Sequence, residues 1–181
     1  YLNKHKNLLK KILESAGISN IVFPKFRGKK SQPRGYFNLT EYRKLRDGTK
    51  NLIGSSYTTL NGAKYQIDEE LHSFIIFMTG SMLRPTVSEI YSLKFEDIEI
   101  KELNNTSYLE FPITRKNRPM IVQTLSTSYY AYKDIIQRRP QHQPSDYLFA
   151  PQYENRRTAM RHISNMFAQV LRELKMTKGR L

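Results

Sequence analysis

Residues 69–80 constrain the fold more than any other stretch of the chain. Their sequence, "EELHSFIIFMTG", has helical character from Asp68 onward and is apolar on almost every face toward its end. A helix of this kind needs neighbours on all sides, because its apolar side chains point in every direction. We therefore expect it at the centre of the core.

Four further stretches are predicted to be helical from the spacing of their apolar residues. In residues 2–15 the leucine and isoleucine side chains share one face, most lysines lie elsewhere, and Gly17 is a suitable stop, so this is a basic amphipathic helix. The other three are expected from Leu39 to about Gly48 with Thr40 as cap, over residues 126–139 with Ser126 or Thr127 as cap, and over residues 156–175.

A short helix is predicted for residues 86–94, "TVSEIYSLK". Thr86 and Glu89 match the S/T-x-x-E capping box, in which two side chains satisfy free backbone N–H groups at the start of a helix. Pro85 disfavours helical dihedrals at the residue before it. Arg84 is therefore expected in the turn between two helices, beside the positive end of the second.

Three short runs rich in aromatic and branched residues lie between the helical patterns, at residues 95–100, 106–113 and 118–124. They predict an antiparallel meander. Residues 54–66 are predicted to be a polar loop. The order of elements predicts an α+β fold, mainly helical, in which the helices pack with a small three-stranded antiparallel sheet.

The composition points to a polyanionic partner. Lys and Arg outnumber Asp and Glu by 30 to 16, for a formal net charge of +14, which favours nucleic acid first and an anionic membrane surface second. No run reaches the roughly 18 apolar residues of a spanning helix, so no membrane partner is expected. The chain has no cysteine, and its histidines lack paired metal spacing, so no metal is expected. No nucleotide-binding glycine loop occurs, no cofactor is expected, and the expected location is cytoplasmic.

Residues 24–35 combine Pro, Gly and Ser with five Lys or Arg residues and indicate an exposed basic linker. We expect a domain boundary here, with residues 1–23 as the end of one domain and residues 36–181 as part of another. Two interpretations of the linker charge stay open: a solvated loop that aids solubility, or a strap along a nucleic-acid backbone. The chain starts at Tyr1 and is expected to be a fragment of a longer protein.

Arg84 is a candidate phosphate ligand. A planar guanidinium beside free N–H groups at a helix start forms a convergent anion site. A solvated loop arginine would have the same local sequence, so the local features leave both interpretations open.

The stretch "TGSMLRPTVSEIYSLKFEDIEI" resembles the first arginine box of the tyrosine recombinases, the phage integrase family. The residues with a counterpart in that box are Thr79, Gly80, Arg84, Ser88, Glu89, Leu93, Phe95, Asp97 and Ile98. The family commonly has an acidic residue three positions after the arginine, whereas Glu89 lies five positions after Arg84. The strand meander and the stretch "SDYLFAPQYENRRTAMRHISNMFAQVL" are similar to later parts of the same family.

The resemblance implies a domain organisation and a fold. Residues 1–23 would be the last helix of a core-binding domain, and residues 36–181 the first part of a recombinase catalytic domain. The second box of the family and its tyrosine nucleophile are expected beyond Leu181, so this chain alone is expected to be inactive.

The resemblance also implies roles for individual residues. Arg84 would hold the non-bridging oxygens of a DNA phosphate, and Lys116, at the tip of the hairpin, would donate a proton to the leaving 5′-oxygen. Arg115 or Arg118 is the alternative phosphate partner at this hairpin, and Glu89 is a further candidate.

The implied function is site-specific cutting and rejoining of double-stranded DNA through a 3′-phosphotyrosyl link, by a homo-oligomer on DNA. Two alternatives stay open: a DNA-binding module without catalysis, either degenerate or accessory, and an RNA-binding protein of the translation machinery, which only the charge suggests. The residues expected to contact DNA are Lys4, Lys25, Arg27, Lys29, Lys30, Arg34, Arg118, Arg156 and Arg157.

Overall fold

The computed structural model describes residues 2–18, 37–58, 62, 64–115 and 118–176. The chain divides into two compact units, Tyr1–Tyr36 and Phe37–Leu181. In the first unit, helix α1 spans Leu2–Ser15, as predicted, and Gly17 follows it with a positive φ of 78°. The predicted linker, residues 24–35, lies outside the described residues.

The second unit contains the other elements of the described chain. Its helices are α2 (Leu39–Asn51), α3 (Glu69–Ser81), α4 (Ser126–Arg138) and α5 (Arg156–Glu173). Its strands are β1 (Ser56–Thr58), β2 (Lys64–Gln66), β3 (Glu99–Leu103), β4 (Thr106–Arg115) and β5 (Arg118–Gln123). The predicted α+β fold is confirmed, since helices pack with a three-stranded antiparallel sheet in the order β3-β4-β5.

Helix α3 lies at the centre of this unit, as the sequence predicts. Asp68 caps it by accepting a hydrogen bond from the backbone N–H of Leu71. The helix packs against α2 and α4, and Phe77 is fully buried between rings of the sheet and of the α4–α5 connection. Its ring centroid lies 6.0 Å from that of Phe111 on β4 and 5.4 Å from that of Phe149.

Gly80 allows the end of α3 to approach the start of α4. A Cβ atom at this position would lie 2.4 Å from the hydroxyl oxygens of both Thr127 and Ser128, closer than real contacts permit. Ser128 also donates a hydrogen bond to the backbone carbonyl of Phe77. The glycine that matched the family pattern thus has a packing reason in this chain.

Strand β4 carries the sheet's contribution to the core. Leu109, Phe111 and Ile113 are buried on one face, at alternate positions, as expected for a strand with one covered side. The register places Arg115 opposite Arg118 at the last pair before the β4–β5 connection. The core face of the sheet and the helix α3 therefore share one apolar layer.

Several local predictions are wrong. Residues 54–66 contain the antiparallel pair β1–β2 instead of only a polar loop. The helix predicted at residues 86–94 is absent, and a 3₁₀ turn at Ile90–Ser92 takes its place. A second 3₁₀ turn, Phe95–Asp97, occupies the start of the first predicted strand.

The predicted helix caps are also wrong for two helices. Asn38 caps α2 in place of Thr40, and Leu125 occupies the cap position of α4 without a side-chain hydrogen bond. Within the described residues, no helix combines the length and the apolar character needed to cross a bilayer.

Candidate nucleic-acid interface

The turn after α3 presents Arg84 at the surface. Met82 ends the helix in a left-handed conformation, Leu83 points into the core with 5% exposure, and Arg84 follows with its side chain 49% exposed. The backbone N–H of Arg84 donates a hydrogen bond of 3.0 Å to Oε2 of Glu89. Arg84 therefore lies in a turn, as predicted, and this turn is fastened by an acidic side chain five residues later.

Glu89 does not form the predicted capping box. Its side chain reaches back to Arg84 instead of Thr86, and the hydroxyl of Thr86 pairs with that of Ser88. Because Glu89 is 4% exposed, its carboxylate needs several donors to offset the loss of water. Two arginines supply most of them.

Arg115, at the end of β4, binds Glu89 through two parallel hydrogen bonds. Nε lies 3.2 Å from Oε1, and an Nη atom lies 2.8 Å from Oε2. Such a fork is the strongest common geometry for an arginine–carboxylate pair. Arg84 approaches the same carboxylate from the turn, with its Nε atom 3.5 Å from Oε1.

These three side chains, Arg84, Glu89 and Arg115, are called the arginine clamp below. Two guanidiniums share one carboxylate, which leaves one excess positive charge. Among the described residues, the Arg84 guanidinium has no acceptor other than Glu89, so its outer N–H groups face solvent. The arrangement suits a tetrahedral oxyanion, which accepts planar pairs of N–H donors.

The clamp is charged at neutral pH. Burial raises the pKa of Glu89, but the hydrogen bonds from Arg115 and from the Arg84 backbone outweigh it, and the net pKa lies below the ordinary glutamate value. The hydrogen bond with Glu89 also raises the pKa of Arg115. Neither partner therefore loses its charge near neutrality, and the excess positive charge persists.

The β4–β5 hairpin adds a further cation. Arg118 is exposed and lies directly across the ladder from Arg115, so the two side chains leave the sheet on the same face. Like charges in this position repel each other, and Glu89 offsets the repulsion at Arg115. Lys116, the predicted proton donor, lies outside the described residues.

A cavity of about 270 Å³ adjoins Glu89. It lies between the segment after Arg84 and the end of the β4–β5 hairpin, and proline and leucine side chains with three hydroxyl groups form its walls. The lining residues are Ser88, Glu89, Ser92, Leu93, Asp97, Pro112, Ile113, Thr114 and Pro119.

Arg156 is not a surface residue, and its assignment as a DNA contact is wrong. It is 8% exposed, and its guanidinium donates hydrogen bonds to four backbone carbonyls. The ring of Tyr147 covers it at 3.9 Å from the guanidinium carbon to the ring centroid. The four carbonyls, which with Arg156 are called the Arg156 network, belong to Tyr91, Phe149, Ala150 and Tyr153.

The remaining predicted contacts differ in how far the structure describes them. Arg118 and Arg157 are exposed, so both are available to a partner. Lys4 belongs to α1 in the first unit. Lys25, Arg27, Lys29, Lys30 and Arg34 lie outside the described residues.

One ion pair near the Arg156 network was not predicted from the sequence. Glu70 on α3 accepts hydrogen bonds from Arg139, at 2.8 Å, and from the backbone N–H of Ala150. Burial raises the pKa of Glu70, although the Arg139 charge and the Ala150 hydrogen bond act in the opposite direction. The sequence feature that could have predicted this ion pair is Glu70 itself, an acidic residue in the first turn of a mostly apolar helix.

Comparison with known proteins adds no relative: no family model, curated protein or solved structure matches the chain.

Proposed function

We propose that this chain is the DNA-binding part of a tyrosine recombinase, and that the arginine clamp holds a backbone phosphate of the DNA. One observation carries the proposal: two arginines, from the turn after α3 and from the end of β4, converge on one buried carboxylate and leave an exposed guanidinium. The resemblance of the same turn to the first arginine box of that family supports it, as does the net charge of +14.

The clamp suits phosphoryl transfer, in which the protein mainly positions groups and stabilises charge. Arg84 would bind the non-bridging oxygens through its outer N–H groups. Arg115 would act through Glu89, since two of its donors are already engaged there. Glu89 is then a positioning residue that fixes the direction of both guanidiniums.

In the intact protein, we propose that a tyrosine outside these 181 residues attacks the phosphorus atom, with a 3′-phosphotyrosyl link formed and the 5′-oxygen released. Lys116 is the proposed donor of the proton to that oxygen. The bond energy of the DNA backbone is conserved in the covalent link, so the step needs no nucleotide.

The first experiment measures duplex binding by this chain as salt is varied. Arg84→Ala should reduce the magnitude of the slope of log affinity against log salt by about 1, the value expected for the loss of one phosphate contact. Its duplex affinity should stay within about tenfold of that of the unaltered chain. Arg172→Ala, on the last turn of α5, is the matched control for loss of one positive charge. A slope that Arg84→Ala leaves unchanged would contradict phosphate binding by the clamp.

The second experiment separates an enzyme from a DNA-binding module without catalysis. In the full-length protein, Arg84→Ala and Arg84→Lys should both abolish the covalent protein–DNA complex, because a lysine cannot reproduce the planar fork. Covalent complex formed at the normal rate by either variant would refute the assignment. Binding without any covalent complex in the unaltered protein would favour the module.

A further inference from the structure

The cavity beside Glu89 adjoins a stretch of β4 that has one open side. In an antiparallel sheet, successive residues turn their backbone N–H and C=O groups toward opposite neighbours. The carbonyl of Leu109 accepts a hydrogen bond from the N–H of Thr124, next to β5, so odd-numbered residues of β4 face β5 and even-numbered residues face β3. Pro112 is tolerated within the strand for this reason, because the β4–β5 ladder does not need the N–H that it lacks.

Strand β3 covers only part of its side of β4. It begins at Glu99, which pairs with Glu110, and the chain before it forms the 3₁₀ turn Phe95–Asp97. The N–H and C=O groups of Thr114 and the C=O group of Pro112 point to this side, and they have no hydrogen-bond partner among the described residues. Both residues line the cavity, so one donor and two acceptors lie along this wall.

The opposite wall of the cavity adds a carboxylate. One oxygen of Asp97 accepts a hydrogen bond of 2.9 Å from the backbone N–H of Lys94, and the other oxygen has no partner within the described part of the chain. Leu93 and Pro119 supply apolar surface. The cavity therefore offers more acceptors than donors between apolar walls, which suits a flat ligand that carries N–H groups.

We infer that the cavity takes an unpaired DNA base with an exocyclic amino group, next to the phosphate held by Arg84; this inference rests on the proposed function. Glu89 both lines the cavity and pairs with Arg84, so an anion site and an acceptor-rich cavity adjoin each other. A nucleotide has the matching halves, since its phosphate is an anion and the amino groups of adenine and cytosine donate to carboxylate and carbonyl oxygens.

The size of the cavity fits this ligand. Its volume of about 270 Å³ lies just below the range of about 300–1,000 Å³ that is common for pockets of drug-sized ligands, and a single base is smaller than such ligands. An extended peptide pairs with a sheet edge through several successive N–H and C=O groups. The open stretch of β4 supplies these from Pro112 and Thr114 alone, and Pro112 has no N–H, so the edge favours a base over a peptide strand.

The test compares the affinity of this chain for short DNA duplexes that differ at one unpaired nucleotide, which carries adenine, cytosine or thymine. An unpaired base costs the least to turn out of the stack. We expect the duplexes with unpaired adenine or cytosine to bind about tenfold more tightly than the one with thymine, because thymine has no amino group for the acceptors of the cavity.

Two variants change the cavity, and one variant is the control. Ser88→Leu places a larger side chain at the cavity wall, where Ser88 is exposed, and it should abolish the preference while leaving affinity for a fully paired duplex unchanged. Asp97→Asn replaces the carboxylate by an amide and should reduce the preference for adenine and cytosine. Ser56→Leu alters an exposed serine on β1, outside the cavity lining, and should keep the full preference.

Each contrary result has a defined meaning. Equal affinity for the three unpaired bases, with binding that still depends on Arg84, would overturn this inference alone. A preference that survives Ser88→Leu would place the base elsewhere and would also overturn it. Should Ser88→Leu fail to fold, an undiminished preference in Asp97→Asn overturns the inference in its place. Absence of Arg84-dependent duplex binding in the unaltered chain would overturn the proposed function as well.

Discussion

Arg156 is 8% exposed and gives its guanidinium to four backbone carbonyls, whereas Arg84 is about half exposed and meets a single carboxylate. The Arg156 network joins the α4–α5 connection to the 3₁₀ turn at Ile90–Ser92. All four acceptors of the Arg156 guanidinium are uncharged backbone carbonyls. The arginine clamp joins a turn to a hairpin through one acid and keeps donors facing solvent. The same type of side chain thus braces the interior in one region and keeps N–H donors accessible to solvent in the other.

The number of N–H donors left without a protein acceptor distinguishes these arginines better than burial alone does. Arg115 is only 29% exposed and yet belongs to the exposed site, because it holds the carboxylate that Arg84 also meets. A buried guanidinium that donates four of its five N–H groups to backbone carbonyls is not available to a phosphate, whatever its place in the sequence.

The largest effect is expected when the Arg156 network is broken. Arg156→Ala leaves three buried carbonyls and one partly buried carbonyl without their donor, and we expect a loss of about 4 kcal/mol in the free energy of unfolding. Urea denaturation would measure it. Arg157→Ala, the exposed neighbour, should change stability by less than about 0.5 kcal/mol; similar losses for both variants would remove the distinction between an internal brace and a surface cation.

A smaller loss is expected when the clamp loses its acid. Glu89→Gln weakens the hydrogen bonds that the carboxylate accepts and leaves two partly exposed guanidiniums without a countercharge, and we expect a loss of about 2 kcal/mol, again by denaturation. Glu96→Gln is the control, since Glu96 forms an exposed pair with Lys94 and should contribute less than about 0.5 kcal/mol. If the two variants were equally stable, Glu89 would not be the residue that holds the clamp together.

Much of the fold could be predicted from hydrophobic spacing. Helix α3 was placed at the centre because its apolar residues surround it, and the β3–β5 meander followed from three short runs with turn residues between them. The helix predicted at residues 86–94 is absent. The Glu89 side chain, expected to cap that helix, instead binds Arg115, which lies 26 positions later, so the local sequence pattern could not reveal the contact.

The position of Arg84 could also be predicted from the sequence, but its partners in the clamp could not. The Pro85 rule placed Arg84 in a turn, and the family resemblance gave it a candidate role. The convergence of Arg84 and Arg115 on one carboxylate depends on how the hairpin packs, which is long-range information. Arg156 was misassigned for a related reason: its neighbour Arg157 is exposed, and only the path of the backbone around Tyr153 and Phe149 shows which of the two turns inward.

The smallest effect, the dependence of stability on pH, distinguishes the two regions by sign. The pKa of Glu89 is lowered in the folded state, so its contribution is fully present above the ordinary value of 4.5 and is lost as pH falls through the folded pKa. The pKa of Glu70, beside the Arg156 network, is raised, mainly by burial. Its contribution is fully present below 4.5 and is lost as pH rises through the folded pKa.

Opposite trends are therefore expected for Glu89→Gln and Glu70→Gln in urea denaturation between about pH 3 and pH 7. The stability advantage of the unaltered protein over Glu89→Gln should grow with pH, because the unfolded state binds more protons at this site. Its advantage over Glu70→Gln should shrink with pH, because a buried carboxylate becomes charged while the amide stays neutral. The contrary outcome is that the two stability differences, one for Glu89→Gln and one for Glu70→Gln, change in the same direction with pH. Glu70 and Glu89 would then occupy electrostatically equivalent sites, and only the exposure of Arg84 would distinguish the clamp from the buried region.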